Sequence, residues 1–559
     1  MSIEFYDTNA WVGLWPLAPL GHSDLATLRR HWRMHGIQGG FVSSLNALWL
    51  TNPHDHNARL IESSRKVAGV DPLPILNLLD PAWSDELAQL MTDPSVKAVR
   101  LAPGYGGWKI NNRAAVEAAK EITAQGRRVV LTARLVDERQ EHPAIKLKPV
   151  KAAAIARWID KVPGMQPLVQ GLSRWELEEL AALTEMVEQE SLFYWKGPQT
   201  TAMLDRFRQI YPLEHCMPCS SGSAALHIAI SALKLEPGSE VIVPAITDMG
   251  SVIGILYQQL VPVFADVDAE TINLDPADVP RRITPKTRAI MPVHLAGCPC
   301  DMGALMGIAR EHDLKVIEDC AQAWGAKWQG QLVGQQGDLA CYSFNEFKHL
   351  SCGDGGIVGT NDDALGEGLS KWGDKHYDRV KGGRSPETLS PNYRITEPQS
   401  AVAFGQLAKH GAMVAHRIRL GRNLRAGLAD IPGVMLQPER EGDTHSYWFG
   451  MLRFDLEKFR VDRSTLVAAL QAEGVVCEAG YIPTPVYGYP VFQNHDFFAG
   501  GWPLKDAGLT TMDYREVSCP IAEAVLADCM TMVINEAVPV AYIEEMVSAF
   551  KKVCTHYAV

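Results

Sequence analysis

Two consecutive stretches, LKVIEDCAQAWGA (Leu314–Ala326) and LACYSFNEFKHLSCGDGG (Leu339–Gly356), decide the fold. In the first, an apolar run ends in Glu318 and Asp319; in the second, one ends at Ser343, five residues before Lys348. Short apolar runs bounded by polar or glycine-rich segments suit strands buried on both faces of a parallel sheet. VIVPA (Val241–Ala245), VPVFADV (Val261–Val267) and RAIMPVHL (Arg288–Leu295) repeat the pattern upstream, with helix-length segments between them. That alternation predicts an α/β domain with a mainly parallel sheet over about residues 200–360. In such sheets ligands bind at the carboxyl ends of the strands, which is where Asp319 falls.

Three candidate functional groups follow. CSSGSAAL (Cys219–Leu226) is a small-residue turn entering an apolar helix. The N–H groups of a helix N-terminus bind phosphate; Gly222 lets the backbone come close and Ser223 adds a hydroxyl. Asp319 is a carboxylate that could sit beneath a cationic ring nitrogen, with Gln322 three residues on. Lys348, followed by a turn containing Gly353, Gly355 and Gly356, could be desolvated so that its amine is available at neutral pH. Read singly, these are a helix cap, a solvated acid and a surface lysine. Together they supply what pyridoxal phosphate (PLP) requires: an amine, an anion for the ring nitrogen and donors for the phosphate.

The order of these segments resembles the DegT/StrS-type PLP aminotransferases that act on keto-sugars and cyclitols. The matching stretches include CSSGSAALHIAISAL (Cys219–Leu233), EPGSEVIVPAITD (Glu236–Asp248), VIEDCAQAWGAKWQGQLVGQQGD (Val316–Asp338), YSFNEFKHLSCGDGG (Tyr342–Gly356) and NYRITEPQSAVAFGQL (Asn392–Leu407). The resemblance runs over about residues 172–559. It implies a type I PLP-transferase fold, a large domain over 169–420 and a small α+β domain over 421–559. It also implies that Lys348 bonds the cofactor as a Schiff base, that Asp319 pairs with the ring nitrogen and that Gln322 contacts the ring hydroxyl. Gly222, Ser223 and Ser343 are implied phosphate ligands. Asn392 is implied to reach the phosphate of a neighbouring subunit, which requires a homodimer with shared active sites. The implied reaction moves an amino group from glutamate or glutamine to a keto-sugar or keto-cyclitol.

One departure stands out. The family often carries an aromatic residue after the Thr of P-x-x-T, stacked on the cofactor ring, whereas here Asp248 and Met249 follow Thr247. No stacking residue is assigned. Relatives that act as dehydratases replace the lysine with histidine; with Lys348 present and His349 beside it, transamination is favoured.

The first ~165 residues show a second β/α rhythm. Strand-like runs start at Ile3, Gly39, Pro72, Val96 and Arg127, with a sixth at Pro167. Helix-like segments intervene, among them NNRAAVEAAKEITAQG (Asn111–Gly126), which opens on an asparagine cap. A further helix follows Ser173, and a boundary falls near 165–172, giving a first domain over 1–168. This region resembles the start of an amidohydrolase-like barrel, with Asn9 and Trp11 where that superfamily has paired histidine ligands. His54, His56 and His142 lack ligand spacing, and a full barrel needs about 200 residues or more. The expectation is a metal-free binding or packing module. The alternatives are a bifunctional fusion with a metal-dependent hydrolase, or a non-catalytic PLP-binding regulator.

Composition narrows the partners. A net charge of −12 leaves no basic surplus for nucleic acid. The start of the chain lacks a signal-peptide pattern, and no apolar run reaches the ~20 residues that span a bilayer. Eleven cysteines, an odd number, suit a reduced cytoplasmic chain. The pairs Cys216/Cys219 and Cys298/Cys300 are too far apart in sequence, and the second too tightly spaced, for a zinc ribbon.

Overall fold

The structure, a computed structural model, describes residues 5–12, 24–34, 37–48, 50–132, 155, 158, 161–162, 168–170, 177–189 and 191–559. The chain divides into two compact units, Met1–Leu180 and Ala181–Val559.

In the first unit the strands are β1 (Phe5–Val12), β2 (Ile37–Ser44), β3 (Val70–Pro72), β4 (Ile75–Leu76), β5 (Ala98–Leu101), β6 (Arg128–Thr132) and β7 (Leu168–Gln170). They pair in the orders β1-β2-β3 and β4-β5-β6-β7, parallel throughout. Each ladder runs past its strand ends: Leu73 N–H donates to Val42 O beside β3 and Arg100 N–H donates to Pro74 O beside β4, both at 2.8 Å. Within each sheet, neighbours in space are neighbours in sequence. The helix Arg113–Ala124 opens on Asn112, whose side chain accepts from Ala115 N–H, as its sequence predicts. Trp11 packs on a cation. Its ring lies 4.0 Å from the buried guanidinium of Arg100, which donates to Ser43 Oγ and Thr132 Oγ1. His54 and His56 lie in the first turn of the helix His54–Ser64. His142, Ser173 and the Asn9 side chain fall outside the described residues.

The second unit is built on a seven-stranded sheet. Its strands are β8 (His215–Cys219), β9 (Glu240–Pro244), β10 (Val261–Ala265), β11 (Thr287–Ile290), β12 (Lys315–Asp319), β15 (Leu339–Ser343) and β16 (Gly356–Thr360); β13 (Lys327–Trp328) and β14 (Gln331–Leu332) form a separate hairpin. The order is β10-β9-β11-β12-β15-β16-β8, and β16 runs against the direction of the other six strands. Strand β10 is buried at every position, as expected of a strand covered on both faces. The mixed, mainly parallel sheet is the type I PLP-transferase arrangement that the motifs implied.

A second, antiparallel sheet has the order β17 (Val434–Leu436), β18 (Gly450–Phe454), β20 (Cys529–Met532), β19 (Cys477–Ala479). The helix Glu397–Leu428, about 48 Å long at 1.5 Å per residue, joins the two cores. Ala403 and Leu407 pack in the large core, and Leu420, Leu424 and Leu428 pack with Phe454, Met530 and Phe550 in the small one. The division near residue 420 expected from sequence falls inside this helix. Its first residue, Glu397, is fully buried and accepts from Gln199 N–H, Thr200 N–H and Thr200 Oγ1 at 2.6–2.9 Å. That carboxylate satisfies N–H groups at the start of the helix Pro198–Ile210 and is favoured there by the helix dipole.

Candidate active site

Strands β8, β12 and β15 end at Cys219, Asp319 and Ser343 on the carboxyl edge of the sheet. Period-2 alternation separates the two acids of β12. Glu318 Oε2 accepts from Gly334 N–H and from His294 Nε2; its Oε1 accepts from Gln336 N–H and Gly337 N–H. His294 Nδ1 accepts from Cys300 N–H at 3.0 Å, so Nε2 carries the proton that Glu318 receives. Despite the cost of burial, these bonds hold the Glu318 carboxyl below its usual range. His294, Glu318 and Cys320 cluster closely enough to hold a metal, but the ligand atoms of the first two are already engaged in hydrogen bonds.

Asp319 faces the other way. Its Oδ2 accepts from Ser251 Oγ at 2.7 Å and its Oδ1 from Ala321 N–H at 3.0 Å. It is 3% exposed. Burial raises its pKa against the pull of Ser251, Ala321 and the charge of Lys348. Lys348 and Asp319 are therefore electrostatic neighbours, the juxtaposition on which the sequence reading depends. Lys348 is 9% exposed, and its Nζ lies 3.5 Å from the ring centroid of Trp448. Burial lowers its pKa to about 8, while Asp319 and Asp248 oppose that shift. An amine so placed has a far larger neutral fraction near physiological pH than an ordinary exposed lysine, as a nucleophile requires.

The helix Gly222–Ala232 begins directly after β8. Ser221 caps it by accepting from Ala224 N–H, and the other first-turn N–H groups have no acceptor within the helix. A Cβ on Gly222 would lie 2.7 Å from Ser343 Cβ, so this turn and the end of β15 are in direct contact. A Cβ on Gly250 would meet Ser223 Oγ at 2.6 Å and Asp248 Oδ1 at 2.9 Å, which brings Ser223 and Asp248 together. Gly222→Ala should therefore force the turn away from Ser343. The expected result is at least about tenfold weaker binding of a phosphate-bearing cofactor, with a loss of stability of about 1–3 kcal/mol from overpacking. Fluorescence titration and thermal melts would measure the two effects.

Gln322 is held at both ends: its Oε1 accepts from Ala296 N–H and its Nε2 donates to Tyr481 OH at 3.1 Å. Asp248, at the position that is often aromatic, is exposed and accepts from Gly250 N–H at 2.8 Å. Asn392 is exposed and its backbone pairs with Asp374. The next residue, Tyr393, accepts from Ser220 N–H, which places this segment beside the turn before Gly222.

Ser251, Trp448 and Tyr481 were not singled out from sequence. Ser251 lies two residues beyond Met249, at the start of the helix Gly250–Tyr257. Trp448 precedes β18 and Tyr481 follows β19, so both come from the small sheet. The cysteine pairs are engaged separately: Cys216, Cys219 and Cys300 each donate to a different backbone carbonyl at 3.2–3.4 Å. Burial pushes the Cys219 and Cys298 thiols up to about 12.

Residues 174–538 match the DegT/DnrJ/EryC1/StrS aminotransferase family model. Similar solved structures include S. venezuelae DesV in complex with a ketimine intermediate, at 30% identity and TM-score 0.59, covering 67% of this chain and 94% of that one. An aminotransferase from Psychrobacter cryohalolentis matches at 26% identity and TM-score 0.61, over 68% of this chain and 98% of that one. 3-Amino-5-hydroxybenzoic acid synthase matches at 26% identity and TM-score 0.61, over 68% and 97% respectively.

Proposed function

The chain belongs to the DegT/DnrJ/EryC1/StrS aminotransferase family and is a PLP-dependent aminotransferase, and on that premise we propose that it transfers an amino group from glutamate or glutamine to a keto-sugar or keto-cyclitol in two half-reactions. The observation that carries this reading is that paired strands β12 and β15 end at Asp319 and Ser343, with Lys348 five residues beyond Ser343 and both the acid and the amine buried.

The residues fit the cofactor. Asp319 is a buried acid beside a pocket amine, suited to a cationic ring nitrogen. The helix end at Gly222, with Ser223 and Ser343 around it, suits a phosphate. Gln322, its amide held in one orientation by Ala296, suits the ring hydroxyl. Bound PLP supplies a carbonyl that can carry the amino group and a ring that withdraws electrons from the adjacent carbon. The chain's own residues do the rest. Lys348 Nζ would hold the cofactor and, as a free amine, would take up and return a proton at the donor carbon. Asp319, fixed by Ser251 and Ala321, would favour a positive charge on the ring nitrogen.

A homodimer with shared sites belongs to this proposal. It is supported by the exposed apolar side chains of Phe347, Val380 and Leu389 and by the exposure of Asn392. Among the described residues no helix is long and apolar enough to cross a membrane. All eleven cysteines are free thiols, which supports a cytoplasmic setting.

The test is spectral. PLP-loaded protein should lose the absorbance of the carbonyl form on addition of glutamate or glutamine, and regain it with the right keto-sugar or keto-cyclitol. No response to any amino donor would reject the proposal.

A further inference from the structure

The lysine of this site rests on a tryptophan. Lys348 Nζ sits 3.5 Å from the Trp448 ring centroid, and the indole is fixed from several sides. Its Nε1–H donates to Phe347 O at 2.6 Å, the carbonyl directly before Lys348. Its backbone N–H donates to Ala296 O at 2.8 Å. Its carbonyl accepts from Arg417 NH1 at 3.0 Å, and the same nitrogen also donates to Tyr447 O and Ile534 O. Arg417 is 2% exposed and ion-paired with Glu536 at 2.5 Å. The preceding residue, Tyr447, has φ +51°, a conformation a non-glycine residue adopts only when its surroundings impose it. One indole face is thus held rigidly against the amine by groups from the helix Glu397–Leu428, the segment at Ala296 and the loop that carries the lysine.

We propose that Trp448 is a positioning residue whose indole face is the fixed station for the Lys348 ammonium whenever that amine is not bonded to the cofactor. This rests on the aminotransferase reading above. The physical reason lies in the strength of the contact. An amine that must alternate between charged and neutral forms is poorly served by a direct carboxylate partner, which would hold it protonated. An aromatic face attracts a cation more weakly and carries no net charge, so the amine can leave it. Asp319 at the end of β12 and Asp248 before the helix Gly250–Tyr257 are among the acids whose charges act on Lys348. His349, next in the chain, is directed to Ser446 O at 3.1 Å.

The test uses the full chain without cofactor and reads the amine directly. The rate at which Lys348 is modified by 1-fluoro-2,4-dinitrobenzene, followed by peptide mass, gives the amine's titration. The wild-type midpoint should lie at about 8. Site-specific replacement of Trp448 by tryptophans of increasing fluorination keeps the indole shape while weakening the ring's attraction for a cation. The midpoint should fall along that series, to an amine about tenfold less basic at its end. Trp448→Leu should behave like the most fluorinated member, and Trp448→Phe should lie between. A midpoint that stays constant across the fluorinated series overturns the proposal, even if Trp448→Leu loses its fold. Because this readout needs neither cofactor nor turnover, failure of the transamination reading would appear separately, as a missing spectral response to amino donors.

Discussion

Lys348→Ala will lower turnover at saturating substrates by at least about 10³-fold, within the range that a positioned acid–base group contributes. The variant loses two roles at once: the nitrogen that bonds the cofactor and the group that moves the proton. Its fold should survive, because the substitution removes a buried amine whose charged form is disfavoured by burial. Thermal denaturation close to wild type would check that. A small primary amine in the assay should restore part of the rate by substituting for the lost base. Activity near wild type in a properly folded variant would mean that another residue does the chemistry.

The second large effect falls on Asp319. Asp319→Asn preserves the shape and can still accept one of the two bonds now made by Ser251 Oγ and Ala321 N–H, but the negative charge is gone. A preorganised electrostatic group of this kind is worth about 10²–10³ in kcat, and that loss is expected here. Cofactor binding should weaken far less than turnover, because the phosphate is held at Gly222, Ser223 and Ser343. The charge of Asp319 also supports the protonated form of Lys348, so the lysine midpoint should fall below its wild-type value of about 8 in the variant. Steady-state kinetics together with the modification titration would separate the two consequences.

Much of this architecture is legible in the sequence because it is local. The five strands β9, β10, β11, β12 and β15 are apolar runs, and their carboxyl ends mark the crevice in the sequence itself. Strands β8 and β16 are harder to see. HCMPC carries a proline and polar residues, and GIVGT begins at Gly356, where a Cβ would lie 2.4 Å from Ser221 O. Both owe their strand character to pairing, β8 with β16 and β16 with β8 and β15, a tertiary effect that overrides propensity. The same distinction applies to the site. Asp319 and Lys348 announce themselves through short-range context. Trp448 lies a hundred residues beyond Lys348 and reaches it only because Ala296 and Arg417 hold its backbone in place. Asp248 was legible as a departure from the family pattern, but its bond to Gly250 N–H came only with the fold. In the first unit the parallel rhythm was readable, whereas the burial of Arg100 against Trp11 was not, since an arginine within VKAVRLA reads as solvent-facing.

One measurement tests the central claim directly. Protein loaded with PLP is reduced with borohydride, which makes the bond between cofactor and protein permanent, and is then digested and mapped by mass spectrometry. The account predicts a single pyridoxyl-modified peptide with the label on Lys348, and no such label after Lys348→Ala. A label on any other lysine, or a loaded protein in which Lys348 stays unmodified, would contradict it.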